Sequence, residues 1–516
     1  MHRLCWLLLL LPQLLVAQLN LKQIGHLSYA PLTLAGCWHH VDSFGNEYAL
    51  VGTSGGLSIV DLNDPSQPKE LFKVPNLSDN WREVKTWAGF AYVGSEAYGS
   101  GIHIVDLRHL PDTFYAKVWY GDGAYENRVQ DSHTLQAENG YLYIFGGGSG
   151  VTTGATIASL QDPWNPVIVG TYNTNYVHDG FIRGDTLWTS EIYAGQFGVV
   201  DISDRGQPKL LATQPTPGRF NHNGGLSDDN RYFFTTDEKT NSPLAAFDIT
   251  DLNNIRHLDD YYPSQYPSYM VHNVRVLGNY LINPSYGGQL TIVDATYPDN
   301  LIETAWVVMG NSLVWDADPY LPSGVVFATA KQEGFFVYAP TYRRAAYLEG
   351  HVRDALTGLP LAGATVAFKS VPNSGVTNVE GVYKTGAANA GSYILEITKD
   401  NYQPAFLTDV QLKNGETTQL DILLTPLASP SGEVFEETTV QVFPTCFEEV
   451  LTVALPEEEG FFTATLLDMQ GKQVFQQVLG QGTQTMRGLG QLAKGGYVLR
   501  LEKGGRLWKS VWVEKL

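Results

Sequence analysis

"GLSIVDLNDPSQP", Gly56 to Pro68, is a short apolar run that ends in an aspartate and then breaks into polar residues and prolines. The same wording returns as "GIHIVDLRHLP" from Gly101, "FGVVDISDRGQP" from Phe197, "LAAFDITDLNNI" from Leu244 and "QLTIVDATYPDN" from Gln289. Each apolar run reads as a strand bounded by turn residues. A carboxylate at the start of a turn accepts backbone N–H bonds and the following proline fixes φ, so the aspartates read as structural corners. The anchor positions Asp61, Asp106, Ser159, Asp201, Asp248, Asp294 and Tyr338 lie 42 to 53 residues apart and mark seven units.

A second ruler runs through the same region: Trp38, Arg82, His133, His178, His222, His272 and Trp315, at steps of 43 to 51 residues. It counts seven as well. Within the unit from His272 the strands read "HNVRVL", "YLINPS", "QLTIVD" and "LIETAWV", separated by turns. Four antiparallel strands in a unit of this length is the pattern of a β-propeller blade. The seventh unit stops after its third strand, "GFFVYAP", whereas "NLKQIGHLSY" from Asn20 resembles only the last strand of a blade. The N-terminal strand is therefore expected to complete blade 7 and close the ring.

Composition agrees with this reading. The 516 residues exceed what one core supports and call for two to four domains. Aromatics at 12%, with 52 glycines and 26 prolines, fit many short strands joined by tight turns, and no long stretch has helical periodicity. The net charge of −20 argues against nucleic acid and anionic membranes, and favours cations or neutral and basic ligands. "MHRLCWLLLLLPQLLVAQ" has the basic start, apolar core and small residue of a secretory signal peptide, with cleavage expected after Ala17. No other segment reaches the length of a membrane helix. Cys37 and Cys446 fall in different domains, so no disulfide framework is expected.

The "IVD" strands, together with "WREVKTW", "VHDG", "RGDTLWTSEIYAG", "NHNGGLSDDNRYFFTTDE" and "VHNV", resemble the LVIVD-repeat propellers called choice-of-anchor B family proteins. The resemblance runs from about residue 20 to 340 and departs in blade 3, where Ser159 replaces the aspartate. It implies a secreted or surface-displayed propeller and brings no established reaction. Two further modules follow. "AYLEGHVRDALTGLPLAGATVAF", from Ala346, resembles the carboxypeptidase regulatory-like, transthyretin-type sandwich, which implies a spacer or adhesion module. After the polar linker 428–439, "VQVFPTCFEEVLTVAL", "ATLLDMQGKQVF" and "GGYVLRLEKGGRLWKSVWVEKL" resemble the C-terminal sorting domain of type IX secretion. "FPTCF", Phe443 to Phe447, replaces the usual Asn-Pro pair there. This resemblance implies the type IX machinery as a partner, export through the outer membrane and attachment at the cell surface.

Strand direction alternates within a blade. The loop entering the first strand and the loop joining the second to the third therefore open on one face. The first kind of loop carries Arg82 and the four histidines; the second carries Glu96, Glu191, Asp237, Glu238 and Ser285. Neutral imidazole ligates metals and nearby carboxylates fix its tautomer, so His133, His178, His222 and His272 are candidate ligands for a divalent metal. Arg82, Glu96, Glu191, Asp237 and Glu238 join them as candidate ligand-binding residues. The plainer alternative is that each imidazole only bonds a neighbouring loop and locks blade to blade.

Other motifs are weaker. "GTSGG" at Gly52 matches a nucleophile elbow around Ser54 but fills a hairpin slot, and "GGGSG" at Gly146 lacks the helix a phosphate loop needs. Asp228, Asp229 and Asp237 lack the spacing of a calcium loop. Trp38, Trp81 and Trp315 could stack on sugars, although aromatic wedges between blades are commoner. The expected architecture is all-β: a seven-bladed propeller over 18–343, a sandwich over 346–427 and a sorting sandwich over 440–516. The expected function is a monomeric, secreted, surface-displayed binding or adhesion protein for a protein, peptide or glycan. The alternative is a metal-dependent extracellular hydrolase or lyase working at the same rim, and no catalytic residue is assigned.

Overall fold

The aspartate corners form through local hydrogen bonds. Asp61 accepts the Asn63 N–H at 2.9 Å, Asp201 the Ser203 N–H at 2.8 Å, Asp248 the Thr250 N–H at 3.0 Å and Asp294 the Thr296 N–H at 2.9 Å. Ser159 does the same in blade 3, its hydroxyl accepting the Gln161 N–H at 3.3 Å. A short polar side chain two residues before the amide is all the corner requires, so the serine costs the repeat nothing.

Between these corners the chain folds into successive antiparallel sheets. The computed structural model describes residues 18–516 apart from 148–150, 152, 266–267, 311, 428–439, 456–459, 469–470 and 505. The signal-peptide segment and the linker at 428–439 lie outside the described residues, as does most of "GGGSG". Among the described residues there is no α-helix, only the 3-10 turns Gly123–Tyr125 and Leu489–Gln491. The compact units divide after Arg344.

The first unit holds seven sheets. Blade 1 runs from Leu34–Val41 to Lys69–Pro75, blade 2 from Arg82–Trp87 to Tyr115–Trp119, and blade 3 from Thr134–Glu138 to Val167–Tyr172. Blade 4 runs from Asp179–Arg183 to Lys209–Pro215 and blade 5 from Asn221–Leu226 to Arg256–Tyr261. Blade 6 opens with the interrupted pair Met270–Val271 and Arg275–Leu277 and ends at Ile302–Val308. Blade 7 takes three strands, Val314–Asp318, Val326–Ala330 and Gly334–Pro340, and borrows the N-terminal Leu21–Leu27 as its fourth. That strand pairs antiparallel with the third, from Leu21 opposite Pro340 to Leu27 opposite Phe335. Gln18 and Leu19 pair in addition with Val307 and Trp306 of blade 6. The edge left by an incomplete last repeat is thus covered from the other end of the chain, which removes an exposed sheet edge.

First strands touch the first strands of neighbouring blades from blade 7 through blade 1 to blade 6, and between blades 6 and 7 the second strand of blade 6, Tyr280–Tyr286, makes the contact. Crowding there selects small residues. A Cβ at Gly180 would lie 2.6 Å from the Phe145 ring, and one at Gly224 would lie 2.4 Å from Phe233. The glycines of "VHDG" and "NHNGG" are therefore packing residues. Between blades the core is apolar: Tyr48, Leu50, Ile59, Val84 and Val93 fill the seam of blades 1 and 2. Trp188 stacks on Phe233 at 4.8 Å between blades 4 and 5. Burial of such side chains contributes about 1.5–3 kcal/mol each, and it is what holds the blades side by side.

The second unit, from Ala345, contains two sandwiches. In the first, Ala346–Asp354 pairs with Val382–Ala387 and, in parallel, with Thr417–Gln419 and Ile422–Leu424. Its other sheet orders Ser374–Val376, Thr365–Phe368, Gly391–Thr398 and Ala405–Leu412 around a core that includes Leu348, Tyr383, Leu395 and Ile397. The second sandwich sets Gln441–Phe443, Leu451–Leu455 and Gly482–Met486 in one sheet. The strands Phe462–Leu467, Gly495–Lys503 and Arg506–Lys515 are central in the other. The unusual "FPTCF" sequence still supplies a paired segment, Cys446 and Phe447 lying beside Glu514 and Lys515.

Candidate functional site

The four histidines meet at the start of the first strands of blades 3 to 6 and form a continuous stack. Ring centroids are 4.0 Å apart for His133 and His178, 4.4 Å for His178 and His222, and 4.2 Å for His222 and His272. Tyr286 and Trp315 end the row at 4.4 and 5.0 Å from His272. The rings are handed from blade to blade by their Nδ1 atoms. His222 Nδ1 donates to the His272 carbonyl at 2.8 Å, and His272 Nδ1 donates to the Trp315 carbonyl at 2.6 Å. A carbonyl can only accept, so these bonds fix the proton on Nδ1 of the neutral ring and leave Nε2 as a lone-pair donor. His178 Nδ1 is buried without a hydrogen-bond partner among the described residues. His133 Nδ1 instead meets the carboxylate of Glu96.

Burial decides the charge state of this row. Desolvation pushes His178 and His272 well below the ordinary histidine value of 6.5 and pushes His222 below it, with the neighbouring imidazoles adding to the effect. His133 is the exception: burial pulls it down too, but the hydrogen bond and charge of Glu96 outweigh that and raise it. The arc thus holds one imidazole disposed to carry a proton and three disposed to stay neutral.

Carboxylates complete the rim. Glu96 is 42% exposed beside His133, and Glu238 is 24% exposed. Glu238 stands between two rings, its oxygens 3.8 Å from His222 Nε2 and 4.0 Å from His272 Nε2. Two three-residue groups bring one potential metal-ligating atom per residue within 4.8 Å of one another: His133, His178 and His222, and His222, Glu238 and His272.

The other residues of the predicted site go elsewhere. Arg82 is fully buried and clamps a loop, donating to the Thr53 carbonyl at 2.9 Å and the Leu77 carbonyl at 2.7 Å. Glu191 is fully buried too, its carboxylate receiving Asn175 and Gln196 at 2.7 Å, Thr189 at 3.1 Å and Tyr172 at 3.3 Å. Asp237 ties down the 216–220 loop through Thr216 Oγ1 at 2.5 Å, Gly218 N at 2.7 Å and Phe220 N at 2.9 Å. These three occupy rim-side loops, but their hydrogen bonds run inward to backbone and side chains, and the remaining Arg82 Nη1 is buried. Asp229 accepts Ser227 and Arg231 within its own turn, and Ser54 accepts the Thr33 N–H at 3.2 Å in its hairpin.

Blade 1 departs from the second ruler. Thr236 of blade 5 donates to the His272 carbonyl at 2.7 Å, and its counterpart Thr329 of blade 7 donates to the Ala35 carbonyl at 2.5 Å. Ala35, not Trp38, therefore holds the histidine position in blade 1, and a register shift between Leu34 and Cys37 hides it in the sequence. Ala35 and Gly36 leave room there that other blades fill. Trp315 Nε1 reaches from blade 7 to Glu83 of blade 2 at 3.0 Å, and a Cβ on Gly36 would lie 2.4 Å from the Glu83 carboxylate.

Beneath the rim lies a polar network that the ruler positions alone do not name. Its members are the residues one and three places after them. Asn223 joins Asp179 at 2.5 Å and accepts the Val274 N–H at 2.9 Å; Asn273 donates to Asp316 at 3.1 Å. Arg275 donates to both oxygens of Asp316 at 2.8 Å, and Lys85 lies 3.9 Å from Glu83 and 4.2 Å over the Trp38 ring. All of these polar residues are buried. Burial raises Glu83 against the opposing charge of Lys85 and lowers Lys85, whereas the desolvation of Arg275 is outweighed by Asp316, Tyr320 and Asp179 together, which raise it. At the other end of the first strands, a cavity of about 540 Å³ is lined by His39, Thr86, Trp87 and Tyr320.

Against known families, residues 44–75 match the LVIVD repeat, 347–425 the carboxypeptidase regulatory-like domain and 441–514 the secretion system C-terminal sorting domain. No characterised protein matches the chain. Among solved structures, a candidate 6-phosphogluconolactonase from Bacteroides uniformis is 15% identical with a TM-score of 0.40, over 54% of this chain and 86% of its own. The chain is thus an all-β protein that carries an LVIVD repeat, a carboxypeptidase regulatory-like domain and a type IX sorting tail, and the tail marks it as secreted or outer membrane-associated at the cell surface.

Proposed function

We propose that this is a surface-displayed binding protein of the choice-of-anchor B type, whose propeller rim takes an extracellular ligand. In this reading residues 1–17 are the signal peptide, 18–343 the propeller, 346–427 a spacer, 428–439 a linker and 440–516 the sorting domain. One observation carries it: six polar side chains from five blades, His133, His178, His222, His272, Glu96 and Glu238, converge on one rim, and their hydrogen bonds leave further ligating atoms uncommitted. The residues expected there that prove to be buried, Arg82, Glu191 and Asp237, serve the reading by holding the rim loops. A hydrolase or lyase is the second reading, and what favours it is the His222, His272 and Glu238 group, a ligand set that suits a catalytic metal.

The test presents the purified full chain to an array of extracellular polysaccharides, oligosaccharides and peptides, beside the double variant Glu96→Gln/Glu238→Gln. Binders that lose about tenfold or more in affinity on this rim change support the reading. Binders indifferent to it place recognition elsewhere and overturn it. Turnover of an array member that is abolished by Glu238→Gln would select the second reading.

A further inference from the structure

We propose that His222, His272 and Glu238 form a site for one divalent transition-metal ion of the zinc class, with an open coordination position on the rim. The assignment rests on the rim being the ligand surface. Zinc takes imidazole nitrogen and carboxylate oxygen at about 2.0–2.2 Å, which at tetrahedral angles sets the ligand atoms about 3.3–3.5 Å apart. The carboxylate of Glu238 lies 3.8 and 4.0 Å from the two Nε2 atoms, and all three ligand atoms fall within 4.8 Å of one another. Glu238, which is 24% exposed, can close its own part of the difference by a small side-chain rotation.

The rings are already in the form a metal needs. Both Nδ1 atoms donate to backbone carbonyls of the next blade, which orients the imidazoles and presents Nε2 unprotonated. Side chains of His222 and His272 are only 5% and 2% exposed, wedged between His178 on one side and Tyr286 on the other, so the two rings are held in place. The Tyr286 ring, 4.4 Å from that of His272, closes the stack on the side of the third ligand.

The neighbouring trio His133, His178 and His222 competes for the same atom, because His222 has only Nε2 to give. Only one of the two groups can use it fully. Glu238 supplies the negative charge that the histidine trio lacks, and Glu96, the nearest carboxylate to that trio, is engaged with His133 Nδ1. Two imidazoles and a carboxylate leave the fourth tetrahedral position to water or to a Lewis-basic group of the rim ligand, such as a carboxylate or a sugar hydroxyl.

Full-length protein stripped with a chelator is titrated with Zn²⁺ and Co²⁺. Bound metal is counted by elemental analysis after gel filtration, and Co²⁺ coordination is followed by visible absorption. The expected result is one ion per chain with the absorption of four- or five-coordinate Co²⁺. Affinity should fall about 100-fold or more in His222→Ala and His272→Ala, and about tenfold or more in Glu238→Gln. His133→Ala and the outer-strand control His257→Ala should change it by less than about threefold. Circular dichroism confirms folding, and Glu238→Gln keeps the test decisive if a histidine variant fails to fold. Absence of stoichiometric metal, or metal lost in His133→Ala but kept in His272→Ala and Glu238→Gln, overturns the assignment. If rim substitutions abolish ligand binding while no metal is held, the metal assignment alone fails. If metal is held as expected and the binders ignore the rim, the binding reading alone fails.

Discussion

Blades 3 to 6 and blades 7, 1 and 2 solve the same problem with different residues. At the start of each first strand the ring needs a cross-blade link. In blades 5 and 6 an imidazole makes it with Nδ1 and keeps Nε2 in reserve. In blade 7 Trp315 makes it with its single N–H, spanning blade 1 to reach Glu83, and in blade 2 Arg82 spends its guanidinium on two backbone carbonyls. Indole and the Arg82 clamp leave no lone pair over. Ring closure is therefore common to both halves, whereas a spare ligating atom belongs to the histidine arc alone, and that is where a ligand has something to bind.

The closing half should be the fragile one. Asp316→Ala leaves Arg275 buried without its partner, and removing one member of a buried pair costs about 3–5 kcal/mol. The urea midpoint of the propeller transition should fall accordingly, while Asp316→Leu with Arg275→Met should recover most of the loss. Gly36→Ala should cost about 1–3 kcal/mol, since its Cβ must displace the Glu83 carboxylate. Combining it with Glu83→Ala should cost less than the sum of the two single changes, a coupling that denaturation of all three variants measures.

The halves should also differ in their response to pH. His178, His222 and His272 bind protons less readily folded than unfolded, so below about 6.5 the unfolded chain takes up more protons and stability rises with pH through that range. Glu83 is raised, so from the ordinary glutamate range upward the folded state holds the extra proton and stability falls as pH rises. His133, His257 and Asp259 are raised and act in the same sense as Glu83, whereas His40 and His103 are lowered and act with the three rings. Removing one contribution of known sign, Glu83→Gln should make the change in denaturation midpoint between pH 5 and 7 more positive than in the parent chain. The smallest effect is expected on the rim itself: Glu238→Gln should change stability by no more than about 0.5 kcal/mol, against about 1–3 kcal/mol for Glu191→Gln.

What the sequence discloses follows from how local each interaction is. The Asp-corner repeat was legible because each aspartate bonds an amide two residues on, and even Ser159 keeps the function. Closure by the N-terminal strand was legible because a three-stranded last repeat leaves an edge that "NLKQIGHLSY" matches. The four histidines, Glu96 and Glu238 were legible as convergent because strand alternation sends their loops to one side. Arg82, Glu191 and Asp237 share that side but turn inward to partners in other loops, which no local pattern encodes. In blade 1 the conspicuous Trp38 drew the register away from Ala35, because a shift in strand pairing alters the spacing there. The buried network of Glu83, Asp179, Asn223, Asn273 and Asp316 carried a usable signal: each residue directly follows a ruler position, and aligned blades would have shown that column to be polar in all but blade 1.

The central claim is that ring closure through Nδ1 leaves Nε2 of His222 and His272 free. Long-range ¹⁵N–¹H correlation spectra of the histidine side chains, recorded near pH 7 on metal-free protein and assigned with His222→Ala and His272→Ala, read the tautomers directly. The geometry predicts protonated Nδ1 and unprotonated Nε2 on both rings. Nε2–H tautomers, or doubly protonated rings, would contradict it.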